Sequence, residues 1–135
     1  MTKTHISYLG DLRTECTHES GAKIQTDAPQ DNMGRGKAFC PTDLFATSLG
    51  ACMMTVMAIE AKKLGVDLKG AEVDVEKQMH IAGKRRVGKL IVRFRSSTLP
   101  NGIAREKLER VAVECPVYLS IHPDVKVEVD FVWGL

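Results

Sequence analysis

Four cysteines, Cys16, Cys40, Cys52 and Cys115, are the side chains of this chain best suited to covalent chemistry. They are too sparse and too irregularly spaced for a disulfide framework, and no two form a C-x-x-C pair. Each is therefore either a small core residue or a reactive thiol. Cys52 lies in SLGACMM, where the small residues Ser48, Gly50 and Ala51 would let a ligand or another backbone come close. Free cysteine is also among the most buried residue types, so a packed and inert Cys52 stays open beside a reactive one. A reactive thiolate so far inside a helix needs a cation from elsewhere, because the macrodipole acts only over the terminal turns. Arg13 and Arg35 are the candidates, and either could equally be a solvated surface residue. Cys115, before Pro116, reads as packing or as a thiol that resolves a Cys52 sulfenic acid into a disulfide. Cys16 and His18 share one face of a strand, but two ligands make no zinc site, and no metal or cofactor is expected.

The element that must hold Cys52 is CPTDLFATSLGACMMTVMAIEAKKLG, residues 40–65. Cys40 takes the N-cap position, Pro41 the first helical one and Asp43 the third, where a carboxylate suits the dipole. Lys62, Lys63 and Gly65 mark the end. The span predicts a helix of about 24 residues, roughly 36 Å long. Its apolar residues Leu44, Phe45, Leu49, Met53, Val56, Met57 and Ile59 wrap most of its circumference, whereas a helix lying on one sheet needs a single stripe. A second subunit is expected to cover the rest, so the sequence predicts a homodimer with this helix at its centre.

Before the helix, residues 3–9, 12–18 and 22–27 alternate apolar and polar positions around turns at Gly10-Asp11 and Ser20-Gly21 and predict a meander. Residues 28–39 are a loop by their proline, glycines and polar groups. After it, AEVDVEKQMHI and KLIVRFRSS form a hairpin about AGKRRVG, with Val73, Val75, Leu90, Val92 and Phe94 on the core side. A second helix follows in GIAREKLERVAVECP, with Pro116 obliging a break or a fresh turn, and DVKVEVDFVW is the last strand. The order β-β-β-α-β-β-α-β in one domain, 1–135, predicts an α+β fold of antiparallel sheets with a long central helix.

Nineteen basic and 17 acidic residues give a net charge of +2, and the one dense basic cluster, Lys84 to Arg86, falls in a turn, so no nucleic acid partner is expected. The first residues, MTKTHISYLG, hold no apolar core of a signal peptide, and polar residues interrupt the long helix. The sequence thus predicts a cytoplasmic protein with no membrane partner.

The run PTDLFATSLGAC on a long helix, ECPVYLSI some sixty residues later, and the opening YLGDLRTECTHESG together resemble the OsmC/Ohr family, the osmotically inducible and organic hydroperoxide resistance proteins. The resemblance covers nearly the whole chain. It implies an OsmC-like α+β fold in an intertwined homodimer, with two active sites at the subunit interface. It further implies a thiol-dependent peroxidase in which Cys52 attacks an organic hydroperoxide, Cys115 resolves the sulfenic acid, Arg13 steadies the thiolate and a dithiol reductant reopens the disulfide. One position departs from the pattern. Peroxidases of this family carry a glutamate after the helix-opening proline, and here Pro41 is followed by Thr42. Asp43 should point about 180° away from Cys52, and Thr42 faces its side from about 15 Å along the axis. The alternative is therefore a non-catalytic relative, a dimeric small-ligand-binding or redox-sensing module.

Overall fold

A computed structural model describes all residues, 1–135, which divide into two compact units, Met1–Phe45 and Ala46–Leu135. The first unit is a meander of β1 (Thr4–Gly10), β2 (Arg13–His18) and β3 (Lys23–Asp27), antiparallel throughout in the order β1-β2-β3. Its first turn is tight: Gly10, Asp11 and Leu12 all have positive φ, and the β1–β2 register shifts between Tyr8 and Gly10. That bulge sets Arg13 opposite Gly10 at the start of β2. A single 3-10 turn, Gln30–Asn32, interrupts the loop that leads to the helix.

The long helix α1 (Pro41–Leu64) has the 24 residues expected of it and passes from the first unit into the second. Its start is held by the third helical residue, because the Cys40 N–H donates to Asp43 Oδ2 at 3.0 Å. By length and composition α1 could cross a membrane. In the second unit, however, Leu49, Met53, Met57 and Ala61 are buried in one cluster with Leu90, Val92 and Phe94, the place of a core helix.

Those last three residues belong to the second sheet, built of β4 (Glu72–His80), β5 (Arg86–Ser96) and β6 (Lys126–Trp133). β5 lies at its centre and is its most buried strand. Alternation along β4 and β6 turns apolar residues to the cluster and charges outward. There Arg93 pairs with Glu76, Arg95 with Glu72 and Asp74, and Lys89 with Glu128. Phe94 closes the core against Trp133 and Phe131, with ring centroids 4.8 and 5.9 Å away.

Between β5 and β6 run α2 (Gly102–Ala112) and a short α3 (Pro116–Ser120). Asn101 caps α2, its side chain accepting from the Ala104 N–H at 2.9 Å. Leu108 and Ala112 enter the same cluster as α1. The mixed α+β class is therefore as the sequence predicts. The expectation of antiparallel sheets needs one correction, since β6 pairs parallel to β5. The reason is the connection: a helical crossover returns the chain to the end of the sheet from which β5 set out, whereas a hairpin reverses it.

Candidate thiol site

Within the second unit the fold brings two of the four cysteines together. Cys52 sits near the middle of α1 and is half-buried, while Cys115 is 1% exposed, and both are free thiols. Cys115 ends the loop after α2 and takes the N-cap position of α3. Pro116 follows at the first helical position, so the residue that stops α2 also starts a new turn. The Cys115 sulfur accepts from the Tyr118 N–H at 3.4 Å, a weak bond of the kind a thiol can make at a cap.

Burial pushes the Cys115 thiol up from its ordinary pKa. The Tyr118 N–H works against this, and a hydrogen bond to the neighbouring Cys52 sulfur, with that sulfur's charge, adds to the rise. Cys115 thus holds its proton more tightly than a free thiol does. The pair is asymmetric: Cys52 is half-buried, and Cys115 beside it is buried.

Gly50 explains how α1 lies so close to the sheet. A Cβ on Gly50 would stand 2.7 Å from Val75 Cγ2 and 3.1 Å from Val73 Cγ1, so the absent side chain is filled by β4. The sequence reading gave the small residues near Cys52 to an approaching ligand or backbone. For Gly50, the neighbour is the chain's own strand. Beside it, Thr47, Gly50, Ala51, Met54, Val73 and Val75 line an open groove of about 290 Å³, which Cys52 does not line.

In the first unit, Arg13 is half-buried and donates from Nη2 to Gln25 Oε1 at 2.9 Å. Its Nε is buried with no hydrogen-bond partner. Arg35, by contrast, is exposed in the loop, where its carbonyl accepts from Gln30 Nε2 at 3.2 Å. Thr42, directly after the helix-opening proline, and Asp43 serve the helix start. Thr42 Oγ1 is 3.3 Å from Cys40 Sγ, and Asp43 binds the Cys40 N–H. Cys40 itself is buried. Cys16 lies 3.8 Å from Thr14 Oγ1, and His18 Nδ1 is 2.7 Å from Ser20 Oγ, so this strand pair has local partners of its own.

The sequence reading passed over Asp27, whose side chain is 1% exposed at the end of β3. Its Oδ2 accepts from the Lys37 N–H at 3.1 Å, and its Oδ1 is buried without a partner. The signal is a carboxylate at the last position of a strand, second in TDAP, where the alternation of residues 22–27 marks only the end of the meander.

A two-sheet α+β fold with a long helix carrying one of two adjacent thiols defines the class of OsmC-like proteins. The model of the OsmC-like protein family matches residues 34–130, and the chain belongs to that family. Its fold is similar to that of a candidate osmotic stress induced and detoxification response protein of Psychrobacter arcticus 273-4. That protein is 40% identical over 97% of this chain and 96% of its own, with a TM-score of 0.91. An organic hydroperoxide resistance protein OsmC from Legionella pneumophila is 20% identical over 98% of this chain and 96% of its own, with a TM-score of 0.77. The organic hydroperoxide resistance protein OhrB of Bacillus subtilis is 20% identical over 97% of each chain, with a TM-score of 0.73. Comparison with curated protein sequences finds no match.

Proposed function

We propose that this protein is a cytoplasmic, homodimeric thiol peroxidase that reduces organic hydroperoxides at the expense of a dithiol. The observation that carries the reading is the pairing of a half-buried Cys52 with a buried Cys115 thiol beside it. The names of the Legionella and Bacillus proteins, which share the fold, supply the substrate class.

In this reading the Cys52 thiolate attacks the distal oxygen of the hydroperoxide. The O–O bond breaks, the alkoxide leaves and takes a proton to become the alcohol, and Cys52 becomes a sulfenic acid. Cys115, freed of its proton, then attacks the Cys52 sulfur. A disulfide forms and the sulfenic oxygen leaves as water. A dithiol reductant exchanges with that disulfide, restoring both thiols and becoming a disulfide itself. Arg13, as the resemblance implies, is the cation that holds the thiolate and the peroxide. The partial exposure of Cys52 suits the attacking role, since a buried sulfur could not meet substrate. The burial of Cys115 suits the resolving one, because a thiol shielded from bulk peroxide reacts with its neighbour alone.

The test is consumption of cumene hydroperoxide with dithiothreitol by the native chain, Cys52→Ser and Cys115→Ser, with mass spectrometry after one equivalent of peroxide. The expected result is loss of turnover in both variants and a Cys52–Cys115 disulfide in the native chain. Equal rates in all three proteins would end the reading and favour the binding or sensing module. Loss in Cys52→Ser alone would leave Cys52 as the attacking thiol and remove Cys115 from the cycle.

A further inference from the structure

Two charged side chains of the first sheet each keep one buried polar atom without a partner, and they stand opposite one another. Arg13 and Asp27 are direct cross-strand partners in the β2–β3 register. Side chains at such positions share one face of the sheet, with Cβ atoms about 4.5–5.5 Å apart. The unpaired atoms are Arg13 Nε, a donor, and Asp27 Oδ1, an acceptor. Buried polar groups in native proteins find partners, and these two unpaired groups, one a donor and one an acceptor, lie on side chains that are direct cross-strand neighbours.

We propose that Asp27 is the positioning residue for Arg13: its carboxylate takes the Arg13 Nε–H and fixes the plane of the guanidinium. The functional consequence rests on the peroxidase reading, in which Arg13 serves Cys52. The hydrogen bond itself does not depend on that reading.

The two residues are held differently. Asp27 is the fixed member, because its own N–H donates to the Phe39 carbonyl at 3.0 Å and its Oδ2 accepts from the Lys37 N–H. The loop leading to α1 thus clamps the carboxylate at backbone and side chain. Arg13 is the adjustable member, tied only at Nη2, to Gln25 on the same face two residues before Asp27. The other charges on this face, Glu15 and Lys23, pair with each other at 3.6 Å. With Nε on Asp27 and one terminal N–H on Gln25, the remaining guanidinium N–H groups are aimed together and left for an anionic sulfur or a peroxide oxygen. Asp27 would then provide, from the end of β3, the carboxylate that Thr42 does not provide at the helix start.

The decisive measurement is the NMR resonance of the Arg13 Nε–H, assigned by its loss in Arg13→Lys. It is expected to lie downfield and exchange slowly in the native protein, and to move to the position of a solvated arginine in Asp27→Ala and Asp27→Leu, neither of which keeps an acceptor. Asp27→Glu should restore part of the shift. An Nε–H unchanged by these substitutions overturns the proposal, and Asp27→Leu, close to aspartate in size, gives that answer if Asp27→Ala does not fold. In turnover, Asp27→Leu is expected to lower kcat/KM for cumene hydroperoxide about tenfold or more, with Asp27→Glu recovering part of it. Unchanged turnover in a folded Asp27→Leu protein would also overturn the positioning role. If the native chain itself reduces no hydroperoxide, the peroxidase reading fails, and the Nε–H resonance still decides what Asp27 does.

Discussion

At Cys115, burial and the neighbouring Cys52 sulfur act in one direction, and the consequence can be read as stability. The folded chain holds the Cys115 proton more tightly than the unfolded chain does. The associated stabilisation is fully present below the ordinary thiol pKa and is lost as pH rises through the higher folded-state value. Urea unfolding under reductant between about pH 7 and about pH 10 should therefore show stability falling in the native protein, and falling less steeply in Cys115→Ser. Parallel pH profiles in the two proteins would mean that Cys115 loses its proton as easily folded as unfolded. The same asymmetry bears on reactivity. With reductant absent, iodoacetamide should modify Cys52 before Cys115, as peptide mapping would show.

The contact between α1 and β4 depends on a missing side chain. A glycine inside a helix costs about 1 kcal/mol relative to alanine, and Gly50 offsets that cost by letting Val73 and Val75 come against the helix backbone. Gly50→Ala should be nearly neutral, because the gain in helix propensity opposes the crowding of two valine methyls. Gly50→Leu overfills the contact and is expected to cost about 1–3 kcal/mol, measured as a lowered urea midpoint with an unchanged slope. A Gly50→Leu protein as stable as the native one would show that α1 can lift off β4 without loss. The existence of α1 and both its ends are legible in the sequence, because proline at the start, lysines in the last turn and glycine beyond are local signals. α3 was foreseen only as a break or fresh turn at Pro116. Five residues carry too little periodicity to announce a helix.

On the scale of the whole molecule, the conspicuous property is apolar surface left uncovered within one chain. Ile6, Tyr8, Leu9 and Ile24 of the first sheet are each more than half exposed, and so is Ile59 on the outer side of α1. A three-stranded sheet needs a covered apolar face for stability of its own. The homodimer proposed above supplies that cover with a second copy of the same surfaces. Sedimentation equilibrium should give about twice the 14.9 kDa of one chain at micromolar concentration. Tyr8→Glu should shift the protein toward monomer and lower its melting temperature together. A native protein that sediments as a monomer would leave the excess apolar surface of α1 unexplained and remove the dimer.

By itself the sequence determined the α+β class, the order of the principal elements, the caps of α1 and the apolar sides of the hairpin strands. These follow from signals that lie within a few residues of one another, in proline and glycine placement and in periodicities of 2 and 3.6. It also marked Cys52 and Cys115 by motif, without the means to say how far apart they lie. Tertiary structure decided the rest. It paired β6 parallel to β5 and set the buried Cys115 against Cys52. It gave Gly50 to β4, and in the first sheet it set Asp27, with its unpaired Oδ1, across the strand register from Arg13, with its unpaired Nε. Each of these depends on strand register or helix docking between residues distant in the chain, which no local pattern encodes.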